Sequence, residues 1–408
     1  MRIAVVGAGS TYTPELVSGL HALDVGDLVL HDIDAERLDV VGGLARRMLD
    51  RQAFGGRLLL TGDLDRALDG ADFVLIQIRV GGQAARLSDE TAPLACGCIG
   101  QETTGAGGFA KALRTVPVVL DIARRARERA APGAWIVDFT NPVGIVTRAL
   151  LDDGHRAIGL CNVAIGFERA MARMLGVAPE GLIVDQVGLN HLTWVRAVWL
   201  GDRDVLPDLL AEHGDELAGM AGDLPRALLD DLGAVPSYYL RYFYAHDAVL
   251  AEQLAGATPR AETVAEIERE LLELYADPAL TTKPALLERR GGAFYSEAAT
   301  RLVASLRAGD DAVHVVDTRN GDTIPGLAAD DVVELPARVG SGGVVPLPQR
   351  PLAPELLGLV AHVAAYERLA VRAAVSGRRS DARRALLAHP LVGQWGKVEA
   401  LLAEGVLA

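Results

Sequence analysis

The chain has 408 residues, half of them apolar, which is enough for two domains or for one large α/β unit with a substantial extension. Its formal net charge of −14 and pI near 5.1 exclude a general nucleic-acid binder. Local basic residues that hold a small anion remain compatible with that balance.

Met1-Arg-Ile-Ala-Val-Val-Gly runs straight into a strand and turn, without signal-peptide architecture. No apolar run approaches membrane-spanning length, so no membrane partner is expected. Arg2-Ile-Ala-Val-Val6 predicts a strand, Gly7-Ala-Gly-Ser-Thr-Tyr12 a turn, and Pro14 to Leu23 a helix. Leu28-Val-Leu30 predicts a second strand, closing on Asp32. Glycines there allow close backbone approach to a pyrophosphate at a helix N-terminus, and Asp32 lies where a carboxylate bonds a ribose diol. This favours NAD over NADP. Tyr12 stands where the G-x-G-x-x-G pattern has its third glycine, which would set the helix farther from the sheet. The plainer alternative is an ordinary βαβ turn.

Strands are predicted at Leu58-Leu-Leu60, Asp72 to Ile76 and Trp135 to Phe139, with an amphipathic helix over Asp34 to Arg51. The last of these strands ends in Thr140-Asn-Pro142. Asn141 there faces the edge of the glycine turn, or serves only the turn ahead of Pro142. Gly100-Gln-Glu-Thr-Thr-Gly-Ala-Gly-Gly108 precedes a helix from Phe109 to Arg129. It reads either as a loop whose backbone presses on a ligand or as a surface loop with solvated Glu102. Cys96, Cys98 and Cys161 are too few and too clustered for a disulfide framework and fit a reducing cytoplasm. The first two read as small buried fillers rather than a metal pair.

Arg156-Ala-Ile-Gly-Leu160 predicts a buried strand that delivers Cys161 and Asn162 to its C-terminal end, the edge where open α/β sheets bind ligands. Leu182 to Val187 predicts another, ending in Gly188-Leu-Asn-His191. A thiolate and an imidazole from two strand ends make a two-ligand metal site with open positions. Each alone is equally a packing residue. A second structural part is expected to begin near residues 165 to 190, dividing the chain into a Rossmann-like doubly wound part over 1–165 and a mixed α+β part over 166–408. Thr193 to Trp199 alternates like an antiparallel strand, and Pro207 to Leu232 reads as polar helices. Pro236-Ser-Tyr-Tyr-Leu-Arg-Tyr-Phe-Tyr244 holds four of the eight tyrosines. Arg260 heads a helix to Tyr275. Glu297 to Leu306 predicts a helix, Val313 to Val316 a strand, Gly340 to Pro348 a Gly/Pro-rich stretch, and Pro354–Ala374 and Arg379–His389 closing helices.

Taken in order, Gly7-Ala-Gly-Ser-Thr11, Gln77-Ile-Arg-Val-Gly-Gly82, Gly100-Gln-Glu-Thr-Thr-Gly105, Thr140-Asn-Pro142, Cys161-Asn-Val163, Gly188-Leu-Asn-His191 and Tyr239-Leu-Arg-Tyr242 resemble the motifs of glycoside hydrolase family 4. The resemblance runs from the N-terminus to at least Glu297. It implies hydrolysis of a 6-phospho-β-glucoside by a redox-assisted elimination rather than by two carboxylates. NAD⁺ takes hydride from C3, a tyrosine removes the acidified C2 proton, the C1–O bond breaks, water adds, and the hydride returns. Residues implied against NAD are Gly7, Gly9, Ser10, Thr11, Asp32 and Ile78. Cys161 and His191 match the metal ligands; their softness suggests zinc, while the resemblance implies Mn²⁺. Tyr239 matches the base and Glu102 an acidic residue tied to its basicity. Arg86 and Arg260 match the phosphate arginines, and Asn141, Asn162 and Asn190 are implied against the substrate. A homo-oligomer, dimer or tetramer, is implied as well.

Two departures stand out. Asn162 follows the metal cysteine, as in the β-specific branch, where the α-specific branch has Asp, so no carboxylic proton donor stands there. Ala164 replaces a usual proline and loosens the turn carrying Cys161. Competing readings are an NAD-dependent 2-hydroxy-acid dehydrogenase and an NAD-binding sensor, neither of which needs Cys161, His191 and the tyrosine cluster together. If Asp32 selects NAD, fluorescence titration should give a lower dissociation constant for NAD than for NADP, and Asp32→Ala should narrow the gap. Tighter NADP binding by the wild type would overturn that role.

Overall fold

The computed structural model describes residues 1–291 and 294–403. Its strands are β1 (Arg2–Val6), β2 (Asp27–His31), β3 (Arg57–Thr61), β4 (Phe73–Ile76), β5 (Trp135–Asp138), β6 (Ala157–Gly159), β7 (Leu182–Leu189), β8 (Leu192–Leu200), β9 (Arg203–Asp204), β10 (Val235–Pro236), β11 (Ala312–Arg319), β12 (Val332–Gly340) and β13 (Gly343–Pro346). All join one sheet, ordered β10-β8-β7-β12-β11-β6-β5-β4-β1-β2-β3, with β13 on β12 and β9 on β8. From β3 to β6 every pairing is parallel. That half has the doubly wound order 3-2-1-4-5-6, whose crevice at the strands' C-terminal ends takes dinucleotides. From β6 onward the pairings are antiparallel.

The sheet crosses residue 165 without a break, because β11 and β12 return from late in the chain and lie between β6 and β7. Residue 165 itself sits inside the helix Asn162–Leu175, and 404–408 lie outside the described residues. β12 was not expected from the sequence. Pro336 interrupts its run and costs a ladder donor, yet the strand pairs over its length with β11. The Gly/Pro-rich stretch after it forms the β12–β13 hairpin. The expected closing helices form as Pro354–Ser376 and Arg379–Leu387, followed by an unexpected one, Trp395–Ala403.

Neither reading of the Gly100–Gly108 stretch describes what forms. The long helix starts at Gly105, not Phe109, and Glu102 is buried. The glycines serve protein backbone rather than a ligand. A Cβ on Gly100 would fall onto the Glu90 carbonyl, and one on Gly107 onto the Asp89 and Gln101 carbonyls. This close approach draws the helix Gly82–Ala95 onto the turn that carries Glu102. Cys96 and Cys98 pack against the main core, as expected of fillers.

The obstacle at Gly100 is backbone, which cannot swing aside. Gly100→Ala should therefore lose at least about 3 kcal/mol of stability, the upper range for overpacking. Gly55→Ala meets nothing within 4 Å and should stay within about 0.5 kcal/mol of wild type. Equal urea midpoints for the two variants would refute the close approach.

Candidate active site

A cavity of about 1650 Å³ runs along the C-terminal ends of the parallel strands. The glycine turn forms one end. Gly7 has φ +91°, and a Cβ there would sit 2.8 Å from the Gln77 carbonyl oxygen after β4. Gly9 leaves no room for a Cβ beside Asp32, whose Oδ2 accepts the Gly9 N–H at 2.7 Å. Asp32 Oδ1 accepts Asp34 N–H at 3.0 Å. The carboxylate thus holds the turn while lining the cavity. Next to it Ile33 is 93% exposed, an apolar shelf at the cavity mouth. Ser10, Ile78 and Asn141 also line the space. The Ile78 N–H donates to Thr140 Oγ1 at 3.2 Å. The Asn141 Oδ1 is buried with no hydrogen-bond partner, and the Asn141–Pro142 peptide is cis. Thr11 is fully buried beneath the turn and does not line the cavity.

Tyr12 lines the cavity and belongs to a cluster with Val41, Leu44, Ile267 and Leu271, while Leu16, Val17 and Leu20 of Thr13–Leu20 belong to the main core that includes β1.

One wall of the cavity is positive. The Glu102 carboxylate takes Arg79, Lys111 Nζ at 2.6 Å and Arg86 Nε at 3.1 Å. Glu102 is only 7% exposed and sits behind this wall. Burial alone would raise its pKa, but Lys111, Arg79 and Arg86 together hold it well below the usual carboxylate range. Lys111 is held down to about 8 by burial and by Arg79, against the pull of Glu102. Arg86 Nε is shared with Glu90 at 2.7 Å. Glu90 also accepts the Ala261 N–H at 2.7 Å, which ties the start of the helix Arg260–Ala276 to this wall. Arg86, Arg260, Arg79 and Lys111 all line the cavity.

Of the two residues expected to bind metal, His191 lines the opposite corner of the cavity, and Cys161 is not in its lining. Cys161 is the N-cap of Asn162–Leu175 and is 4% exposed. Burial, then the Glu334 carboxyl, push its thiol well above the ordinary range despite the helix terminus. His191 occupies the two-residue turn between β7 and β8 with φ +63°, a left-handed backbone uncommon outside glycine. Such strain in a cavity wall is a pointer to function. Burial, then Lys111, hold its pKa down to about 3, so the ring is neutral. Its Nδ1 lies 3.2 Å from Thr103 Oγ1, which leaves Nε2 as a donor atom. Among the described residues no group of three or more His, Cys, Asp or Glu side chains is placed to hold a metal. A neutral imidazole and an ionisable thiol are a donor set of the kind that fits a divalent ion with open positions.

Asn190 lies behind His191 rather than in the main cavity; its Nδ2 donates to Glu334 Oε2 at 2.8 Å. Asn162 lines the cavity as the first residue of its helix.

The four clustered tyrosines separate cleanly. Tyr242 OH accepts from Gln101, Tyr244 OH from Trp194, and Tyr238 OH from Arg241. Tyr239 is the one of the four that lines the cavity. Its ring stacks on His191 with centroids 3.6 Å apart and planes 12° apart. The edge pairing Pro236↔Trp194 brings the segment beside the His191 hairpin. Burial, with Cys161 next, pushes the Tyr239 hydroxyl well above its ordinary value.

Sequence reasoning missed Arg79, Lys111, Arg290 and Tyr295, all on the cavity wall. Lys111 carried a legible signal, a lone cation inside Gly107-Gly-Phe-Ala-Lys-Ala112. Tyr295 packs edge-on to Tyr12 and Phe139, each at 5.6 Å.

The parallel half, with its glycine turn, Arg86 and the thiol that follows β6, is joined through one sheet to an antiparallel half that brings His191, Tyr239 and Arg260, and its strand order is that of the doubly wound dinucleotide-binding folds. The family model described as family 4 glycosyl hydrolase matches residues 2–177, and its C-terminal-domain model matches 186–392. The chain belongs to the family 4 glycosyl hydrolases. A probable 6-phospho-beta-glucosidase of Bacillus subtilis is 39% identical over 96% of this chain and 92% of its own. The 6-phospho-beta glucosidase of Thermotoga maritima, solved with NAD and glucose-6-phosphate, superposes with a TM-score of 0.93 at 35% identity, covering 100% of this chain and 97% of that one. A second form of it, with manganese, NAD+ and glucose-6-phosphate, gives 0.92 at 34%, covering 100% and 97%.

Glu102→Gln should leave three cations on one neutral group and cost about 3–5 kcal/mol, the usual loss on breaking a buried ion pair. Its folded pKa is depressed, so its contribution is complete above the unfolded value and is lost only as pH falls through the folded one. Urea unfolding should therefore show the full difference from wild type at pH 7 and at pH 5. A difference absent at pH 7 would refute the keystone role.

Proposed function

We propose that this chain is a cytoplasmic, homo-oligomeric (dimeric or tetrameric) 6-phospho-β-glucosidase that depends on NAD and on a divalent metal, probed first as Mn²⁺. The observation that carries the reading is the Tyr239–His191 stack in a cavity that also contains the glycine turn and Arg86 and Arg260. The supporting comparisons are with relatives named 6-phospho-beta-glucosidase. No helix among the described residues is long and apolar enough to cross a membrane.

NAD supplies a hydride acceptor and donor when bound, and a divalent ion supplies positive charge beside the sugar's oxygens. Gly7, Gly9 and Ser10 present turn backbone to the pyrophosphate, and Asp32 accepts from the ribose diol. Cys161 and His191 hold the metal: His191 is already neutral, while Cys161 gives up its proton on binding. Arg86 and Arg260 hold the 6-phosphate through guanidinium nitrogens. Asn141 and Asn162 contact sugar hydroxyls, and Asn190 supports the metal corner. Tyr239 takes the C2 proton. Glu102 acts on it from behind the wall, by fixing Lys111, Arg79 and Arg86 rather than by touching it. Its own charge opposes the phenolate, and the cations it fixes offset that charge. Asn162 offers no carboxylic proton, which favours the β-specific reading.

The test is release of nitrophenol from p-nitrophenyl 6-phospho-β-glucoside with NAD⁺ and Mn²⁺ omitted in turn. Both omissions should abolish turnover; full activity without either would sink the proposal. Tyr239→Phe should lose about 10²–10⁴ in kcat, the range for a general base, while still binding NAD⁺. In D₂O the wild type should place deuterium at C2 of the product and Tyr239→Phe should not. If Tyr295→Phe abolishes that exchange and Tyr239→Phe does not, the base is Tyr295.

A further inference from the structure

The helix Arg260–Ala276 spans the cavity from the proposed substrate phosphate to the glycine turn. At its start, Arg260 Nη2 donates to the backbone carbonyls of Arg289 at 2.9 Å and Arg290 at 3.1 Å. Eight residues on, about 12 Å along the axis, Glu268 lies beside the glycine turn. Glu268 Oε1 accepts Arg290 Nη2 at 2.9 Å, and Oε2 lies 3.6 Å from Arg37 Nη2. Both arginines touch the turn itself. Arg290 Nε donates to Thr11 Oγ1 at 2.7 Å, and Arg37 Nε to the Gly9 carbonyl at 3.1 Å.

Arg290 is therefore tied twice. Its carbonyl holds the substrate-side arginine, and its side chain holds the cofactor turn. The charge balance points the same way. Two guanidinium groups share one carboxylate, which leaves net positive charge beside amides already suited to a pyrophosphate. The Arg290 side chain is 16% exposed and lines the cavity, so a second anion there would meet it largely desolvated.

We propose that Arg290 contacts the dinucleotide pyrophosphate and, through its tie to Arg260, makes cofactor and sugar-phosphate binding mutually reinforcing. The inference rests on the reading of the site given above. A phosphate that fixes the Arg260 fork also fixes the carbonyls that fork holds, and so the backbone from which Arg290 reaches the turn. Reciprocity is then required: each ligand tightens the other by one factor.

Calorimetric titration of NAD⁺ and of glucose 6-phosphate, each alone and with the other saturating, tests this in wild type, Arg290→Ala and Arg290→Lys. Wild type should show a coupling factor of at least about fivefold, the lower end for linked sites. Arg290→Ala should weaken NAD⁺ alone by about ten- to a hundredfold, as for a lost charge-assisted bond. Its coupling factor should fall to one, while glucose 6-phosphate alone binds as in wild type. Arg290→Lys keeps the charge without the fork, should fall between, and carries the test if the alanine variant does not fold. Coupling that survives in Arg290→Ala, or an equal loss of glucose 6-phosphate binding in the absence of NAD⁺, overturns the proposal. A wild type that binds both ligands without coupling overturns this inference alone; one that binds neither overturns the reading of the site as well.

Discussion

Three cations from three elements converge on the Glu102 carboxylate, and the cavity takes its shape from that convergence. Arg79 comes from the segment after β4, Arg86 from the helix Gly82–Ala95, and Lys111 from the helix Gly105–Arg129. Burying each ion costs several kcal/mol, so no single pair here would be stable for its own sake. Three cations against Glu102 leave a surplus of two positive, which Glu90 on Arg86 reduces to one. A chain with a net charge of −14 thereby builds a positive wall. Gly100 and Gly107 are part of the same arrangement, because without their close backbone approach Arg86 would not reach Glu102.

The other corner obeys the opposite logic. Cys161, Tyr239, Asp317 and Glu334 are buried where their charged forms are disfavoured; Glu334 is pushed up to about 7. Asp317 and Glu334 face each other across β11 and β12, and neither Asp317 oxygen has a hydrogen-bond partner. For Cys161, Tyr239 and Asp317 the neutral, protonated forms are the favoured ones there. His191 is the exception, since the nearby Lys111 and its own burial keep it unprotonated. On the proposed reading His191 is neutral before a metal arrives and Cys161 loses its proton only on binding, so binding there would release a proton. Tyr239 stacks on His191, and on the same reading its phenol would respond to that positive charge.

How far the sequence could be read follows from the range of the interactions. The glycine turn, Asp32 and the parallel strands are local patterns and were legible. So was the placement of Cys161 and His191 after strands, though not that β11 and β12 come between those strands. That insertion pairs residues over a hundred positions apart, and Pro336 hid one of its members. Tyr239 could be picked from its neighbours by family register but not by composition; its stack on His191 depends on the β8–β10 pairing. Arg79, Lys111 and Arg290 were missed for one reason. A cation in an ordinary helix or loop says nothing until the anion it serves is located, and here those anions, Glu102 and Glu268, lie up to 23 positions away.

Glu268 repeats beside the glycine turn what Glu102 does at the other wall, with two guanidinium groups in place of three cations. In both places a buried carboxylate assembles basic side chains before any ligand arrives, which lowers the ordering cost of capturing a phosphate. The two carboxylates are joined through one helix, since Glu90 ties Arg86 to the start of Arg260–Ala276 and Glu268 lies two turns further along. The residues between 7 and 141 and those between 162 and 295 thus contribute to one electrostatic unit. The glycine turn alone, without the helix that brings Glu268 and Arg290 to it, would lack the positive charge that distinguishes it from an ordinary βαβ turn.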